Sequence, residues 1–427
     1  NLILNSGTFN PGATNMTING DLRIQSGATF QGTDTNNPTH AIGGNVTIES
    51  GGTWTMTNGS GNPTYGISGT ITNGGSIGGS SGVSTINFNG SNNVTANWTG
   101  SKTYSNHDIN IASTKSVIFS DNLSLSTGRS LTVNGNLTVN GTLATGGTVT
   151  NNGSVTINDA FQINEGGWAT GTGFVYGSGA TLLFNTPSSY GVNNDAYWPA
   201  SNGPANVTIQ GAGGITMNVA RTVSGIFQTS AGTLNGNNLT FNGIARINAG
   251  GYFTGSPTYG SASTLVYNTG TTYGRGAEWN ATSGAGYPNN VTINSGSSLD
   301  LGANSGTGTA RQIAGNLTLE GGLYMDFGSN DMTQPLTVLG NIAIGNAGIL
   351  SLSDASGGDL YVRGNWSRTG GGSFNPKNRA VFFTGTSGDQ TISGATAFDY
   401  LILNKASGNL SLSDNTTINQ TLTLTNG

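Results

Sequence analysis

Residues 130–165, cut into sixes, read SLTVNG, NLTVNG, TLATGG, TVTNNG, SVTIND and AFQINE. An aliphatic or aromatic residue recurs at every sixth position: Leu131, Leu137, Leu143, Val149, Val155 and Phe161. Two places later a second apolar residue often follows (Val133, Val139, Ile157, Ile163), usually with Thr between. Such alternation makes a short strand pointing in, out and in, closed by an Asn-Gly or Gly-Gly corner. A six-residue period with regular corners predicts a β-solenoid, in which strand and corner wind into stacked coils. A single coil cannot bury its own apolar face, so stability must come from stacking many.

The pattern extends outward in both directions. Met16, Leu22 and Ala28 fall six apart, with Ile18, Ile24 and Phe30 as their partners. Coils resume at Val46–Ile48 and at Trp54–Met56, and again from Leu317 to Leu352. Between them, residues 32–40 and 59–66 are expected to be loops, and the Gly/Ser run 74–82 a wide corner. A larger internal repeat joins 174–209 to 257–293, matching Tyr176 with Tyr259, Asn185 with Asn268, and Tyr190 with Tyr273. Each copy is expected to be a strand, a sizeable loop rich in Tyr and Trp, and a return to the coils. Residues 15–27 (NMTINGDLRIQSG) resemble 415–427 (NTTINQTLTLTNG), with six identities and no gap.

The expected architecture is therefore all-β: one continuous parallel β-helix over 1–427, right-handed, with loop excursions and no helical domain. It would comprise about one 400-residue higher-order repeat plus an overlap. Coils of roughly 20 residues spaced ~4.8 Å apart would span on the order of 90 Å. Neither end carries a polar cap, which points to partner copies of the same chain, covalently continuous or stacked head to tail.

At Val381–Gly385 (VFFTG), Gln390–Gly394 (QTISG), Tyr400–Asn404 (YLILN) and Thr421–Gly427 (TLTLTNG) the chain resembles very large secreted surface proteins of Bacteroidota-type bacteria. These are built from β-helix repeats and associated with type IX secretion. The resemblance implies an extracellular or cell-surface, adhesin-like protein. The sorting domain usual in such proteins is not among these residues.

Composition narrows the functional classes. Gly supplies 72 of 427 residues and only 7% are charged, against about 25% in globular proteins. The 13 basic residues are scattered and the net charge is −5, so no nucleic-acid or membrane-surface patch is expected. The absence of cysteine excludes disulfides and thiol chemistry. No apolar run is long enough for a membrane-spanning helix.

Catalytic signals are weak. A polysaccharide-processing β-helix needs clustered carboxylates, and the 18 acids are dispersed. The nearest pairs, Asp326 with Asp331 and Asp354 with Asp359, sit where Asp serves turns. His40 and His107 stand alone. No cofactor, metal site or catalytic residue is assigned, and the chain is expected not to be an enzyme. T-x-T strands such as Thr148–Thr150 are too few for an ice-ordering face.

Two functions remain. The first is structural and adhesive: a stiff stalk or fibre segment whose corner residues Asn134, Asn140, Asn151 and Asn152 could form ladders along the axis. The alternative is a module that binds cell-surface or matrix polysaccharide. Candidate glycan contacts are Tyr190, Tyr197, Trp198, Tyr273, Trp279 and Tyr287, assisted by Asn193, Asn194, Asp195 and Asn280. The competing role for the same rings is to fold down and anchor their loops as a satellite cluster.

Overall fold

The computed structural model describes residues 1–32, 35–90, 95–100, 102–104, 106–193 and 196–426. It is all-β, with parallel strands stacked as a β-solenoid of about 20 turns. One 3-10 turn, Ala277–Trp279, is the helical element among the described residues.

The six-residue units become strands on successive faces of a coil. Ser130–Val133, Asn136–Val139 and Thr142–Thr145 complete one turn, and Thr148–Asn151 lies back on the first. Leu131 thus pairs with Val149, Leu137 with Val155 and Leu143 with Phe161, a step of 18 residues each time. All six side chains are buried, and each contributes on the order of 1.5–3 kcal/mol by leaving water. Elsewhere the step lengthens: Leu22 pairs with Val46 (24 residues) and Leu317 with Ile342 (25).

Two compact units divide the chain: 1–188 with 193–207, and 189–192 with 208–427. In the first, a nine-stranded parallel sheet runs from Leu2–Leu4 to Val175–Tyr176, beside an eight-stranded and a four-stranded sheet. Its core is strongly aromatic. Trp54 meets Phe30 and Tyr65 edge-on, and Trp98 meets Phe119 in the same way. Corner amides repeat along the stack at three of the four expected positions: Asn134 Nδ2 donates to Asn110 Oδ1 (3.2 Å), Asn152 Nδ2 to Asn134 Oδ1 (2.9 Å) and Asn158 Nδ2 to Asn140 Oδ1 (2.8 Å), whereas Asn151 is buried at the end of its strand with Nδ2 on Thr172 O.

The two expected loops and the expected wide corner are shorter than the pattern suggested. His40 lies in the strand Thr39–Ile42, fully buried, with its ring 5.1 Å from that of Tyr65. Thr64–Ile67 takes the end of the second loop, and Ser76–Gly78 forms a strand inside the Gly/Ser run. The reason is that the neighbouring coil supplies the hydrogen bonds: Ser76 N–H donates to Gly52 O at 3.0 Å. Stacking makes a strand there with only Ile77 to bury.

The second unit contains a six-stranded parallel sheet from Arg311–Ile313 to Thr416–Asn426 and a five-stranded sheet from Thr272–Gly274 to Ser373–Asn375. One corner carries an Asn column. The side-chain oxygen of Asn290 accepts the backbone N–H of Asn316, Asn316 that of Asn341, Asn341 that of Asn365, and Asn365 that of Thr391, all at 2.8–2.9 Å. Each asparagine thereby satisfies a corner amide that the ladder leaves unpaired.

Candidate functional site

The two aromatic excursions are built alike. Tyr176 OH donates to Tyr197 O at 2.5 Å, and its counterpart Tyr259 OH donates to Glu278 O at 3.0 Å. In each copy that carbonyl precedes a fully buried tryptophan, Trp198 or Trp279. Burial therefore raises both phenols well above the ordinary tyrosine range.

This placement corrects the picture of exposed stacking platforms. Tyr197, Trp198 and Trp279 are fully buried, and Tyr273 is 8% exposed. Trp198 and Tyr197 pack on Phe184 at 6.2 and 6.3 Å. Trp279 Nε1–H donates to Gln312 O at 3.0 Å, holding that ring down. Tyr190 and Tyr287 are half-buried. Tyr190 sits in the strand Tyr190–Val192 against Ile215–Met217, and Tyr287 OH accepts from Gln312 Nε2 at 2.9 Å. Large rings lose most free energy by remaining in water, so they fold under the loops. Asn194 and Asp195 lie outside the described residues.

The second copy differs from the first in charge. The residue before the tryptophan is Tyr197 in one and Glu278 in the other. Glu278 is fully buried and accepts from Tyr267 OH (3.0 Å), Tyr273 OH (3.4 Å) and Gly276 N–H (3.0 Å). Burial raises its carboxyl pKa, opposed by these hydrogen bonds and by the Arg275 charge.

Outside Glu278 lie two arginines. Arg275 donates to the carbonyls of Leu301, Gly276, Trp279 and Ala303, and Arg311 to those of Thr309, Ala310 and Gly306. They are 4% and 2% exposed. Both guanidinium groups close on Gly306, where a Cβ would lie 2.3 Å from Arg275 Nη2 and 2.7 Å from Arg311 Nη2. Burial and the neighbouring Arg275 lower the Arg311 pKa to about 10. Beside them, Asn304 and Ser305 adopt left-handed backbone (φ 56° and 60°), and Asn304 Nδ2 donates to Arg275 O.

These groups line an open pocket of about 470 Å³ together with Tyr252, Thr254, Asn280 and Thr309. Of the residues singled out from sequence, Asn280 lines it directly, while Tyr273 lies behind it against Tyr252 (5.8 Å). Arg275, Arg311 and Tyr252 were not singled out. The available signal was a difference between repeats, since 174–209 contains no Lys or Arg.

The two carboxylate pairs noted in the sequence, Asp326 with Asp331 and Asp354 with Asp359, meet local partners. Asp326 faces Asp331 across a two-stranded antiparallel hairpin, and Lys377 Nζ bridges Asp326 (2.9 Å) and Asp354 (3.3 Å). Asp359 accepts the backbone N–H of Ala380 at 2.9 Å. Ser84 Oγ hydrogen-bonds His107 Nδ1, a contact created by strand register, but both are buried. Among the described residues no three His, Cys, Asp or Glu side chains group to hold a metal, and no helix is long and apolar enough to cross a membrane. No family model, curated protein or solved structure matches the chain.

Proposed function

We propose that this chain is a structural and adhesive segment of a secreted bacterial surface protein or extracellular filament. It supplies stiffness and displays loops at intervals, and it partners with further copies or repeats of itself. The observation that carries this is the corner column Asn290–Asn316–Asn341–Asn365, added to the backbone ladder of the same coils. Side-chain and main-chain bonds then run in the same direction, the arrangement that hardens stacked β structure. This reading assigns the chain no catalytic role, in keeping with the dispersal of its 18 acids along the sequence.

Electron microscopy of the native material tests the reading. A fibre with an axial repeat on the order of 90 Å is expected, whereas isolated particles without repeat would overturn it. Release of products from a polysaccharide panel by folded protein would overturn the non-catalytic assignment. The arginine pocket favours a second reading in which the segment also holds a glycan, now through Tyr252 and Asn280 rather than the buried tryptophans.

A further inference from the structure

The charge of this pocket runs against that of the chain. Acids outnumber bases by 18 to 13 over the whole sequence, yet the lining holds two guanidinium groups and no carboxylate. Neither arginine makes a salt bridge among the described residues. Backbone carbonyls fix the planes of both groups, the buried carboxyls of Glu278 and Asp300 interact with Arg275 from behind the pocket wall without forming an ion pair, and Arg311 Nε is buried with no hydrogen-bond partner. Burying such charge is costly. The first copy anchors its loop with the same Tyr-to-carbonyl bond and buried tryptophan but without any Lys or Arg. The arginines are thus particular to the second copy, the one that also carries the buried Glu278.

The rest of the pocket narrows the ligand. Asn280, Asn304 and Thr309 are exposed hydrogen-bonding side chains around the rim, and Tyr252 offers a half-buried ring. A volume of about 470 Å³ lies within the roughly 300–1,000 Å³ of small-molecule sites. Guanidinium favours carboxylate, amide and hydroxyl groups suit sugar hydroxyls, and an aromatic ring suits the apolar C–H face of a pyranose. We infer that the pocket binds the carboxylate of an acidic sugar, a uronate residue of a polysaccharide. This rests on the glycan-holding reading and specifies its ligand.

Titration calorimetry of the full chain with oligogalacturonate, with neutral galactose oligomers of equal length and with inorganic phosphate tests it. The uronate oligomer binds, the neutral oligomer binds at least about tenfold more weakly, and raising salt from ~50 to ~500 mM weakens the uronate complex. Tyr252→Ala, at a half-buried rim position, reduces affinity about tenfold with the circular dichroism unchanged. Arg311→Lys keeps the charge, loses the planar fork and also weakens binding. Equal binding of the neutral oligomer at this pocket overturns the role of the arginines. Phosphate binding as tight as uronate overturns the sugar. Neutral-glycan binding unaffected by Tyr252→Ala overturns the pocket but leaves the glycan-holding reading intact, and no binding to any oligomer sinks both.

Discussion

Two buried ionisable side chains carry opposite pH dependences. Burial lowers the His107 pKa from 6.5 to about 4, so between those values the unfolded chain holds a proton that the folded chain refuses. Its contribution is whole above pH 6.5 and is lost as the pH falls towards 4, by up to about 3 kcal/mol. Urea unfolding of the first unit at stepped pH should show this loss, and His107→Asn should flatten it. A variant with the native slope would count against the assignment. Glu278 behaves inversely. Its folded pKa is raised from 4.5, so the folded state holds the proton longer and stability declines as the pH rises through that window. Glu278→Gln keeps one acceptor oxygen for Tyr267 OH and Gly276 N–H, turns an amide N–H towards the Tyr273 hydroxyl oxygen, and removes the charge. Its melting temperature should therefore exceed that of the native protein at pH 7, with the gain shrinking at pH 4.

Single corners show why similar sequences give different elements. Residues 15–27 form two short strands, Thr17–Ile18 and Leu22–Ile24, whereas the matching 416–426 form one long strand, Thr416–Asn426. Gly20 makes the difference: a Cβ there would lie 2.1 Å from Asn1 Oδ1, the oxygen that accepts Asp21 N–H. The aligned residue is Gln420, and the long strand absorbs the change through a register shift opposite Phe398 and Tyr400. Gly20→Gln should accordingly destabilise the first coils while leaving the second unit unchanged. For the Asn column, Asn341→Ala removes the acceptor of Asn365 N–H and should cost about 1 kcal/mol. Hydrogen exchange would report it as faster exchange at residues 365–367. Exchange unchanged there would show that the column adds nothing to the ladder.

At the scale of the whole molecule, a stack of coils holds its stability in nearest-neighbour terms. Unfolding should then depart from a single two-state transition. In the isolated 427-residue chain, exchange should be fastest at Thr416–Asn426, where Leu422 and Leu424 are 50% and 69% exposed. It should be slowest at 130–165, whose apolar positions are closed on both sides. Uniform protection along the chain would contradict this gradient.

The six-residue period of 130–165, the corner asparagines and the repeat of 174–209 in 257–293 were legible in the chain itself. Local alternation and turn chemistry act over a few residues, and they specify strands and their inward faces without reference to anything distant. The site was not legible in this way. Arg275 and Arg311 are 36 residues apart and meet at Gly306 only because one coil is laid upon another. Likewise, whether Trp198 and Trp279 faced solvent or core was open in the sequence, because a ring in a loop can serve either end. The tertiary structure decided it by providing the Gln312 carbonyl for one indole and the Phe184 ring for the other. Period is a property of neighbours in the chain, whereas burial and convergence depend on the step from coil to coil, which varies with every excursion.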